Sequence, residues 1–481
     1  MTTRPPIPAH SRLGTRLAYR LQRLLRPRPG LDWISARIEA SGLARPLFTG
    51  AERQAKQDLF GCRMCGQCAL PVTGYVCPMG CPKELRNGPC GGVGADGSCE
   101  VYPDLRCVWV EAYERAASQG RVADLRLLHR PIDHRRWGES SWLNYWQGRD
   151  DGLWAAVTAD TGSEGPRTKS SAGPGGLMSL RDRLASGGFA VTAEISPPRG
   201  ASTAPITEKA ALLRDWVDAV NVTDNQGSNV RLASWAGSLA AMAAGLEPVM
   251  QMTCRDRNRI ALQSDLLGAS ALGIRNILVM TGDHPKFGDH PAAKPVFDLD
   301  SVQLLWTLRA MRDDHVLLSG RTLDPAPDCF LGAVENPVAP PAGFRADRLG
   351  KKVAAGAQFV QTQFVFDAQV FGQWMAQVRD LGLHERCYIL AGVGAVRSRR
   401  ALDFIRDKVP GVQVPDDVYR RLRAVPADQT AAEGARLAAE IIQQLSAIDG
   451  VAGVHLLAAG NEQAVPGILD DAGVRVDRDG R

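Results

Sequence analysis

Eight short apolar runs recur from residue 189 onward, and each is followed by sequence with helical periodicity. Runs of this length predict buried strands, and the helical stretches between them predict crossovers that keep the strands parallel. Eight such units predict an α/β fold, a closed (β/α)8 TIM barrel of roughly 250 residues. The predicted strands are Phe189–Ser196, Ala219–Thr223, Pro248–Cys254, Asn276–Thr281, Cys329–Val334, Phe359–Phe366, Cys387–Val393 and Val451–Ala458.

A doubly wound sheet is the competing architecture for such an alternation. That fold needs a glycine-rich nucleotide-binding turn, and Gly392-Val-Gly394 does not extend to one. The barrel is therefore the predicted fold.

The first predicted strand ends in a carboxylate followed by two prolines, in Glu194-Ile-Ser-Pro-Pro198. Because proline cannot continue a ladder, Glu194 is expected at the carboxyl end of the strand, where barrel enzymes place their chemistry. Five further strand ends carry polar residues: Thr223, Asp224 and Asn225; Thr253 and Asp256; Asp283; Glu335 and Asn336; Gln363 and Asp367. For Asp224 and Asp256 the preferred interpretation is a structural role, as a helix cap or as a loop residue with satisfied hydrogen bonds.

Eight of the eleven cysteines fall within one glycine-rich segment without helical or strand periodicity. They are Cys62, Cys65, Cys68, Cys77, Cys81, Cys90, Cys99 and Cys107. Large apolar residues are few there, so we expect the sulfurs to hold the segment together. In a cytoplasmic protein thiolate-bound metal is favoured over disulfides, as an iron–sulfur cluster or as zinc. Cys254, Cys329 and Cys387 lie in or beside predicted strands and are expected in the core.

Composition sets the domain organisation and excludes some functions. A net charge of +5 gives little support for nucleic-acid binding, and no apolar run is long enough to span a membrane. The absence of a signal-peptide core predicts a cytoplasmic location. The predicted domains are a basic helical lead-in (1–60), a small cysteine-rich metal-binding domain with a tryptophan-rich extension (61–159), a flexible Gly/Ser/Pro linker (160–178) and the barrel (179–481).

Four motifs of the predicted barrel stand in the order typical of one enzyme family: Ala193-Glu-Ile-Ser-Pro-Pro-Arg199, Val279-Met-Thr-Gly-Asp283, Lys351-Lys352 and Gly356-Ala-Gln-Phe-Val-Gln-Thr-Gln-Phe-Val-Phe-Asp367. With them the barrel resembles methylenetetrahydrofolate reductase. Gly61–Cys68 and Leu85–Gly92 resemble the cysteine-rich partner subunit of some bacterial reductases of this kind. The resemblance implies a flavoenzyme of one-carbon metabolism that interconverts 5,10-methylenetetrahydrofolate and 5-methyltetrahydrofolate.

The resemblance also implies roles for single residues. Glu194 matches the general acid that opens the five-membered folate ring, and Gln363 matches a folate contact. Asp283 matches an aspartate near both flavin and pterin, so its implied role is catalytic and substrate-binding. The implied flavin contacts are Thr223, Thr253, Gly282, Asp283, Lys351 and Lys352, with FAD favoured over FMN as the flavin.

The chain departs from the family pattern at two places. Gly332-Ala-Val-Glu-Asn336 stands where many members carry Tyr-Pro-Glu-x-His, so two usual flavin contacts are missing, and the alternatives are a flavin held differently, FMN, or loss of the flavin. The aromatic residue that stacks on nicotinamide is not evident near Gly392–Arg397, no dinucleotide-binding fold accompanies the barrel, and a C-x-x-C-x-x-C run is fused to it. We therefore predict that ferredoxin or another one-electron carrier reduces the flavin through the cysteine-rich domain. The alternative is direct entry of NADH at the barrel mouth.

A second interpretation comes from a different functional class. The barrel would bind folate without redox chemistry, as a carrier or methyl-transfer module, and the cysteine domain would be a structural zinc site. In either case folate is the expected ligand. A second copy of the chain, in a homo-oligomer, is also an expected partner.

Overall fold

The computed structural model describes residues 13–157, 178–458 and 460–476. Contacts divide the chain into two units, residues 1–157 and residues 158–481. Almost all of the predicted linker 160–178, and residues 1–12 of the predicted lead-in, lie outside the described residues.

Unit 1 combines short helices with a long irregular segment. Its regular elements are α1 (Thr15–Leu25), α2 (Leu31–Ala40), α3 (Ala44–Phe60), α4 (Val108–Ala117), α5 (Ser141–Trp146) and the antiparallel strands β1 (Leu128–His129) and β2 (Trp154–Ala155). Between α3 and α4 the backbone runs through turns and short 3-10 segments. Phe60, Leu70 and Met79 nevertheless form a buried apolar cluster there, together with Cys65 and Cys77. The expectation that the sulfurs hold this segment without an apolar core is therefore corrected, because two cysteines belong to such a core.

Eight parallel strands of unit 2 close into a barrel in the order β10-β3-β4-β5-β6-β7-β8-β9. They are β3 (Ala190–Ile195), β4 (Ala219–Val222), β5 (Glu247–Thr253), β6 (Asn276–Met280), β7 (Phe330–Glu335), β8 (Phe359–Phe364), β9 (Tyr388–Gly394) and β10 (Val451–Leu457). Each observed strand begins and ends within two residues of its predicted bounds. The predicted (β/α)8 barrel is confirmed.

The helices of unit 2 alternate with these strands. They are α6 (Leu180–Ala185), α7 (Ala204–Leu213), α8 (Ser234–Ala243), α9 (Arg259–Ala271), α10 (Ser301–Arg309), α11 (Arg345–Ala354), α12 (Ala368–Asp380), α13 (Arg399–Lys408), α14 (Asp416–Ala424), α15 (Thr430–Ser446) and α16 (Val465–Ala472). None of the helices in the described part of the chain is long and apolar enough to cross a membrane.

The barrel interior changes from apolar to polar along its axis. Near the amino-terminal ends of the strands, Ala190, Ala219, Val249, Leu278, Phe330, Phe359 and Leu390 pack with Leu180 and Leu184 of α6 into an apolar floor. Since side chains two residues apart share a face of a strand, the next inward positions are Thr192, Asn221, Gln251 and Gln361. A further step of two leads to Glu194, Thr223 and Thr253 at the carboxyl ends of β3, β4 and β5. In β8 the register shifts between Gln361 and Phe364, so the inward row is interrupted at Gln363.

A buried hydrogen-bonded layer lies directly above this floor. Gln361 Nε2 donates to Thr192 Oγ1 at 3.0 Å and to Asn221 Oδ1 at 3.1 Å, while Asn221 Nδ2 donates to Gln361 Oε1 at 2.6 Å. Thr192 Oγ1 also lies 2.9 Å from His455 Nδ1. Burial lowers the pKa of His455 to about 3, so its imidazole is neutral and Nδ1 can accept the threonine proton. These hydrogen bonds satisfy polar atoms of the four buried residues, and the layer lies beneath the mouth of the barrel and supports it.

Candidate functional site

Glu194 ends the inward row of β3, at the mouth of the barrel, and is only 7% exposed. Burial raises the pKa of this carboxyl to about 7, although hydrogen bonds from Gln251 and Gln226 act in the opposite direction. A carboxyl group with a pKa near neutrality can hold a proton and release it at working pH. The predicted general acid therefore has the environment that this role requires.

Two glutamine amides hold the Glu194 carboxyl from different sides. Gln226 Nε2 donates to Oε1 at 3.0 Å, and Gln251 Nε2 donates to Oε2 at 3.3 Å. Gln226 Oε1 in turn accepts from Ser196 Oγ at 2.6 Å, which fixes the orientation of its amide. Both carboxyl oxygens are thereby oriented, whichever one carries the proton.

Thr223 and Thr253 end the neighbouring inward rows and differ in their hydrogen bonding. The Thr253 amide and hydroxyl both donate to Asp224 Oδ2 at 2.9 Å, and Arg257 pairs with the same carboxylate. Among the described residues, Thr223 Oγ1 is buried and has no hydrogen-bond partner. An unsatisfied hydroxyl at a barrel mouth indicates a place for a polar ligand atom. Asp224, expected to be a cap or a satisfied loop residue, has its hydrogen bonds satisfied by Thr253 and Arg257 and ties β4 to β5.

The loop after β6 carries Gly282 and Asp283. Gly282 has a φ of +86°, and a Cβ there would lie 3.0 Å from the Thr253 Cβ, so glycine is required for this close approach. Asp283 is exposed, and its backbone carbonyl accepts from Ser228 Oγ at 2.9 Å. Arg255, which is buried, donates to the same carbonyl at 3.4 Å and braces the loop.

Gln363 is half-buried at the end of β8, and its side-chain oxygen accepts from the Phe364 amide at 3.0 Å. The side-chain nitrogen is a donor for a further partner. The folate contact itself stays a prediction.

Lys351 and Lys352 lie on α11, and both are fully buried. Lys352 Nζ lies 2.6 Å from Glu335 Oε2, and Arg345 Nη1 donates to the other oxygen of Glu335 at 3.4 Å. Burial alone would raise the pKa of Glu335, but Lys352, Arg348 and Arg345 lower it. Lys352 is thus engaged in a buried ion pair at the end of β7, and the roles of both lysines as flavin contacts remain predictions.

The eight clustered cysteines separate into two sets of four, each lining its own cavity. The first quartet, Cys62, Cys65, Cys68 and Cys77, lines a cavity of about 20 Å³ together with Met64, Met79, Arg86 and Ser141. The second quartet, Cys81, Cys90, Cys99 and Cys107, lines a cavity of about 30 Å³ together with Lys83, Glu100 and Trp109. The first quartet coincides with the C-x-x-C-x-x-C run and the Cys77-Pro78 pair of the sequence.

The case for a metal at these quartets depends on the chemistry of the donors. Cys62 and Cys77 hydrogen-bond to each other, and the other cysteines of the first quartet lie close enough to influence them electrostatically. Within residues 13–157, 178–458 and 460–476, no three Cys, His, Asp or Glu side chains are arranged to hold a metal ion. Four thiols around one cavity are nevertheless the donor set that iron–sulfur clusters and structural zinc use.

Sequence reasoning did not identify Gln226, Gln251 or Arg255 as parts of the site. Gln251 occupies the inward row of β5, so the two-residue period from Thr253 was a signal that could have found it. Gln226 and Arg255 lie outside the strands, and their roles depend on contacts between different strand ends. The three remaining cysteines, Cys254, Cys329 and Cys387, are buried in unit 2 as predicted.

Two family models match the chain. The model described as "Methylenetetrahydrofolate reductase" matches residues 179–473, which is more than half of the chain and includes the whole barrel. The model described as "Methylene-tetrahydrofolate reductase C terminal" matches residues 43–135, which include both cysteine quartets.

Curated relatives carry corresponding names. A probable methylenetetrahydrofolate reductase (NADPH) of Caenorhabditis elegans is 25% identical over 293 residues, covering 58% of this chain and 42% of the relative. Methylenetetrahydrofolate reductase 2 of Saccharomyces cerevisiae is 26% identical over 259 residues, covering 52% of this chain and 41% of the relative. The chain spans about two fifths of the length of these relatives.

Solved structures show weaker likeness. A structure described as "Uncharacterized protein from Clostridium thermocellum binds two copies of 5-methyl-5,6,7,8-tetrahydrofolic acid" is 12% identical, covers 61% of this chain and 99% of that one, and has a TM-score of 0.46. An F420-dependent secondary alcohol dehydrogenase is 14% identical, covers 59% and 99%, and has a TM-score of 0.40.

Proposed function

This chain belongs to the methylenetetrahydrofolate reductase family, and we propose that it is a flavoenzyme that interconverts 5,10-methylenetetrahydrofolate and 5-methyltetrahydrofolate. The observation that carries the proposal is Glu194, a buried carboxyl at the barrel mouth whose pKa is raised to about 7. A group of this kind can protonate a weakly basic nitrogen at neutral pH. Opening the imidazolidine ring of the methylene folate requires such a proton.

Glu194 delivers its proton to the folate nitrogen whose bond to the methylene carbon breaks, which leaves an iminium carbon ready for reduction. Gln226 and Gln251 keep the carboxyl oriented through one N–H donor on each oxygen. Gln363 offers its amide to the pterin edge. Asp283 supplies the carboxylate whose negative charge favours the iminium cation. In the reverse direction, Glu194 removes the same proton.

The residues of the mouth fit a flavin. Thr223 Oγ1 is a buried hydroxyl without a partner among the described residues, and Gly282 lets the next loop lie against Thr253. We assign flavin binding to Thr223, Thr253, Gly282, Asp283, Lys351 and Lys352, with FAD favoured over FMN. When bound, the flavin supplies the reducing equivalent, and the protein residues position the folate and its proton donor.

Electrons reach the barrel by way of unit 1 in this proposal. The two cysteine quartets, which line separate cavities, would hold an iron–sulfur cluster or zinc, and a cluster there would supply one-electron chemistry for ferredoxin or another one-electron carrier. Anaerobic protein mixed with NADH tests the direct route. Bleaching of the flavin by a reduced low-potential carrier, and not by NADH, is the expected result, whereas rapid bleaching at low NADH concentration would refute this route.

The central experiment begins with the visible spectrum of purified protein, which should show bound flavin. The photoreduced flavin is then mixed anaerobically with 5,10-methylenetetrahydrofolate in a single turnover. Reoxidation of the flavin with formation of 5-methyltetrahydrofolate is expected for the wild type. Glu194→Gln should bind folate with similar affinity and lose the fast reoxidation.

Glu247→Gln is the matched control for that variant. Burial also raises the pKa of Glu247 to about 7, but this carboxyl accepts from the Leu180 amide at 2.7 Å at the amino-terminal end of β5. Its variant should keep fast reoxidation. Purified protein that binds folate but neither flavin nor iron would favour a non-redox folate-binding or methyl-transfer module.

A further inference from the structure

The two cysteine cavities differ in the charges that touch their sulfurs. Arg86 and Lys56 are both buried, and both reach sulfurs of the first quartet. Arg86 Nη2 donates to Cys65 Sγ at 3.6 Å, and Lys56 Nζ donates to Cys68 Sγ at 3.8 Å. Two cationic N–H donors therefore face the first cavity.

The protein holds each of these cations in place with further contacts. Arg86 also donates to the Gln67 carbonyl at 2.7 Å and to Met79 Sδ at 3.0 Å. Lys56 donates to Ser141 Oγ at 2.5 Å and pairs with Glu52 at 2.6 Å. These contacts leave little freedom for either charge to move away from the sulfurs.

The second cavity has a different arrangement. Its buried cation, Lys83, pairs with the Glu100 carboxylate, and both side chains are about 5% exposed or less. The Cys90 thiol faces the same carboxylate, with Sγ 3.7 Å from Oε1. One sulfur of the second cavity thus has a carboxylate as well as a cation beside it, whereas Cys65 and Cys68 of the first cavity accept from cationic donors.

Charge near a thiolate centre changes the free energy of adding an electron to it. Each electron taken up adds one negative charge, which a buried cation or an N–H donor to sulfur stabilises, and which a buried carboxylate opposes. The same contacts have weaker effects on a centre whose charge never changes. Because the charges beside the two quartets differ, we expect the two quartets to hold centres with different roles.

We propose that Arg86 and Lys56 are positioning residues that raise the reduction potential of a centre held by the first quartet, so that the first cavity is the one that accepts and passes on electrons. This rests on the proposed function, in which a one-electron carrier is the donor and the flavin is the acceptor. One electron enters from the carrier and one leaves to the flavin, with no bond made or broken. The second quartet holds a centre that keeps one charge state.

Arg86→Met tests the proposal in the full-length chain, purified anaerobically. Iron and zinc contents are measured, and the centre is titrated potentiometrically by visible absorbance and electron paramagnetic resonance. At a fixed potential near the wild-type midpoint we expect a reduced-to-oxidised ratio about tenfold lower, which equals a shift of about 59 mV to more negative potential. Arg86→Lys keeps the charge and should shift the midpoint less.

Lys83→Met is the matched control, because it removes an equally buried cation from the other cavity. It should leave the midpoint unchanged. If Arg86→Met fails to retain iron, the double variant Glu52→Gln/Lys56→Met removes the second cation together with its partner. It should also move the midpoint to more negative potential.

The outcomes separate this inference from the proposed function. An unchanged midpoint in iron-loaded Arg86→Met and Glu52→Gln/Lys56→Met, or a shift in Lys83→Met alone, overturns the inference and leaves the flavoenzyme intact. Wild-type protein without redox-active iron overturns both this inference and electron entry through unit 1. Flavin reoxidation by methylene folate, measured separately, tests the barrel chemistry.

Discussion

The barrel and the cysteine-rich unit place their proposed sites in opposite ways relative to their apolar cores. In the barrel, the apolar floor around Phe330 and Phe359 supplies the core, and the predicted chemistry lies at the other end of the strands. In unit 1, Cys65 and Cys77 belong both to the apolar cluster and to the first quartet. Site and core are separate residues in one unit and the same residues in the other. Substitutions should therefore separate activity from stability in the barrel but not in unit 1.

The largest expected effect is on unit 1. Cys65→Ser should abolish metal binding and unfold residues 61–110, because the lost sulfur is both a proposed ligand and part of the core. Limited proteolysis and metal analysis would detect this. Cys387→Ala removes a buried sulfur from the barrel and should cost on the order of 1 kcal/mol without loss of the fold. Protease resistance of Cys65→Ser equal to that of the wild type would contradict the comparison.

Glu194→Gln should separate activity from stability within the barrel. Turnover should fall about 100-fold or more, since the proton donor is lost. The folded-state pKa of Glu194 is about 7 against an ordinary value of 4.5, so its stabilising contribution is complete below pH 4.5 and is lost as pH rises through 7. Glutamine does not ionise, so the variant does not lose this stability at high pH. It should be more stable than the wild type at pH 8 by about 3 kcal/mol. Urea unfolding at pH 5 and pH 8 measures the difference, and equal curves at both pH values would contradict it.

Thr223→Val should weaken flavin binding without destabilising the flavin-free protein. The hydroxyl has no partner among the described residues, so its removal leaves no hydrogen bond broken. We expect flavin affinity to fall about tenfold, the equivalent of about one hydrogen bond. Thr253→Val, at another assigned flavin contact, is the comparison for stability, because its hydroxyl donates to Asp224 and its loss should cost about 1 kcal/mol in unfolding free energy. Fluorescence titration with flavin and thermal unfolding give the two values, and identical behaviour of the two variants would argue against a ligand at Thr223.

Gln251→Leu should have the smallest effect, a displacement of the pH profile. The amide of Gln251 lowers the pKa of Glu194, so its removal should raise that pKa further. The general acid then stays protonated to higher pH, and the falling limb of the kcat profile should move upward by less than about one pH unit. Gln226→Leu should act in the same direction. A limb that moves to lower pH in both variants would show that the amides do not set the proton affinity of Glu194.

Most of the barrel could be predicted from sequence because its signals are local. Strand runs, prolines after Glu194 and inward steps of two are all readable along the chain, and the observed strands match them. The pairing of Glu335 with Lys352 and Arg345 could not be predicted, because it joins a strand end to a helix across a loop. In unit 1 the spacing of Cys62 to Cys77 did indicate which four cysteines line the first cavity. The different charges beside the two cavities depend on Lys56, Arg86 and Glu100, whose positions follow from folding alone.

The buried layer of Thr192, Asn221, Gln361 and His455 also has a consequence on the evolutionary timescale. Each member uses a neighbour to satisfy its polar atoms, so replacing Asn221 or Gln361 alone strands a donor or an acceptor inside the barrel. A pair of compensating substitutions can preserve the buried hydrogen bonds where either substitution alone would break one. The four positions should therefore be inherited as a block and exchanged as a block between related lineages, and recombination that divides β4 from β8 should yield offspring that fold poorly.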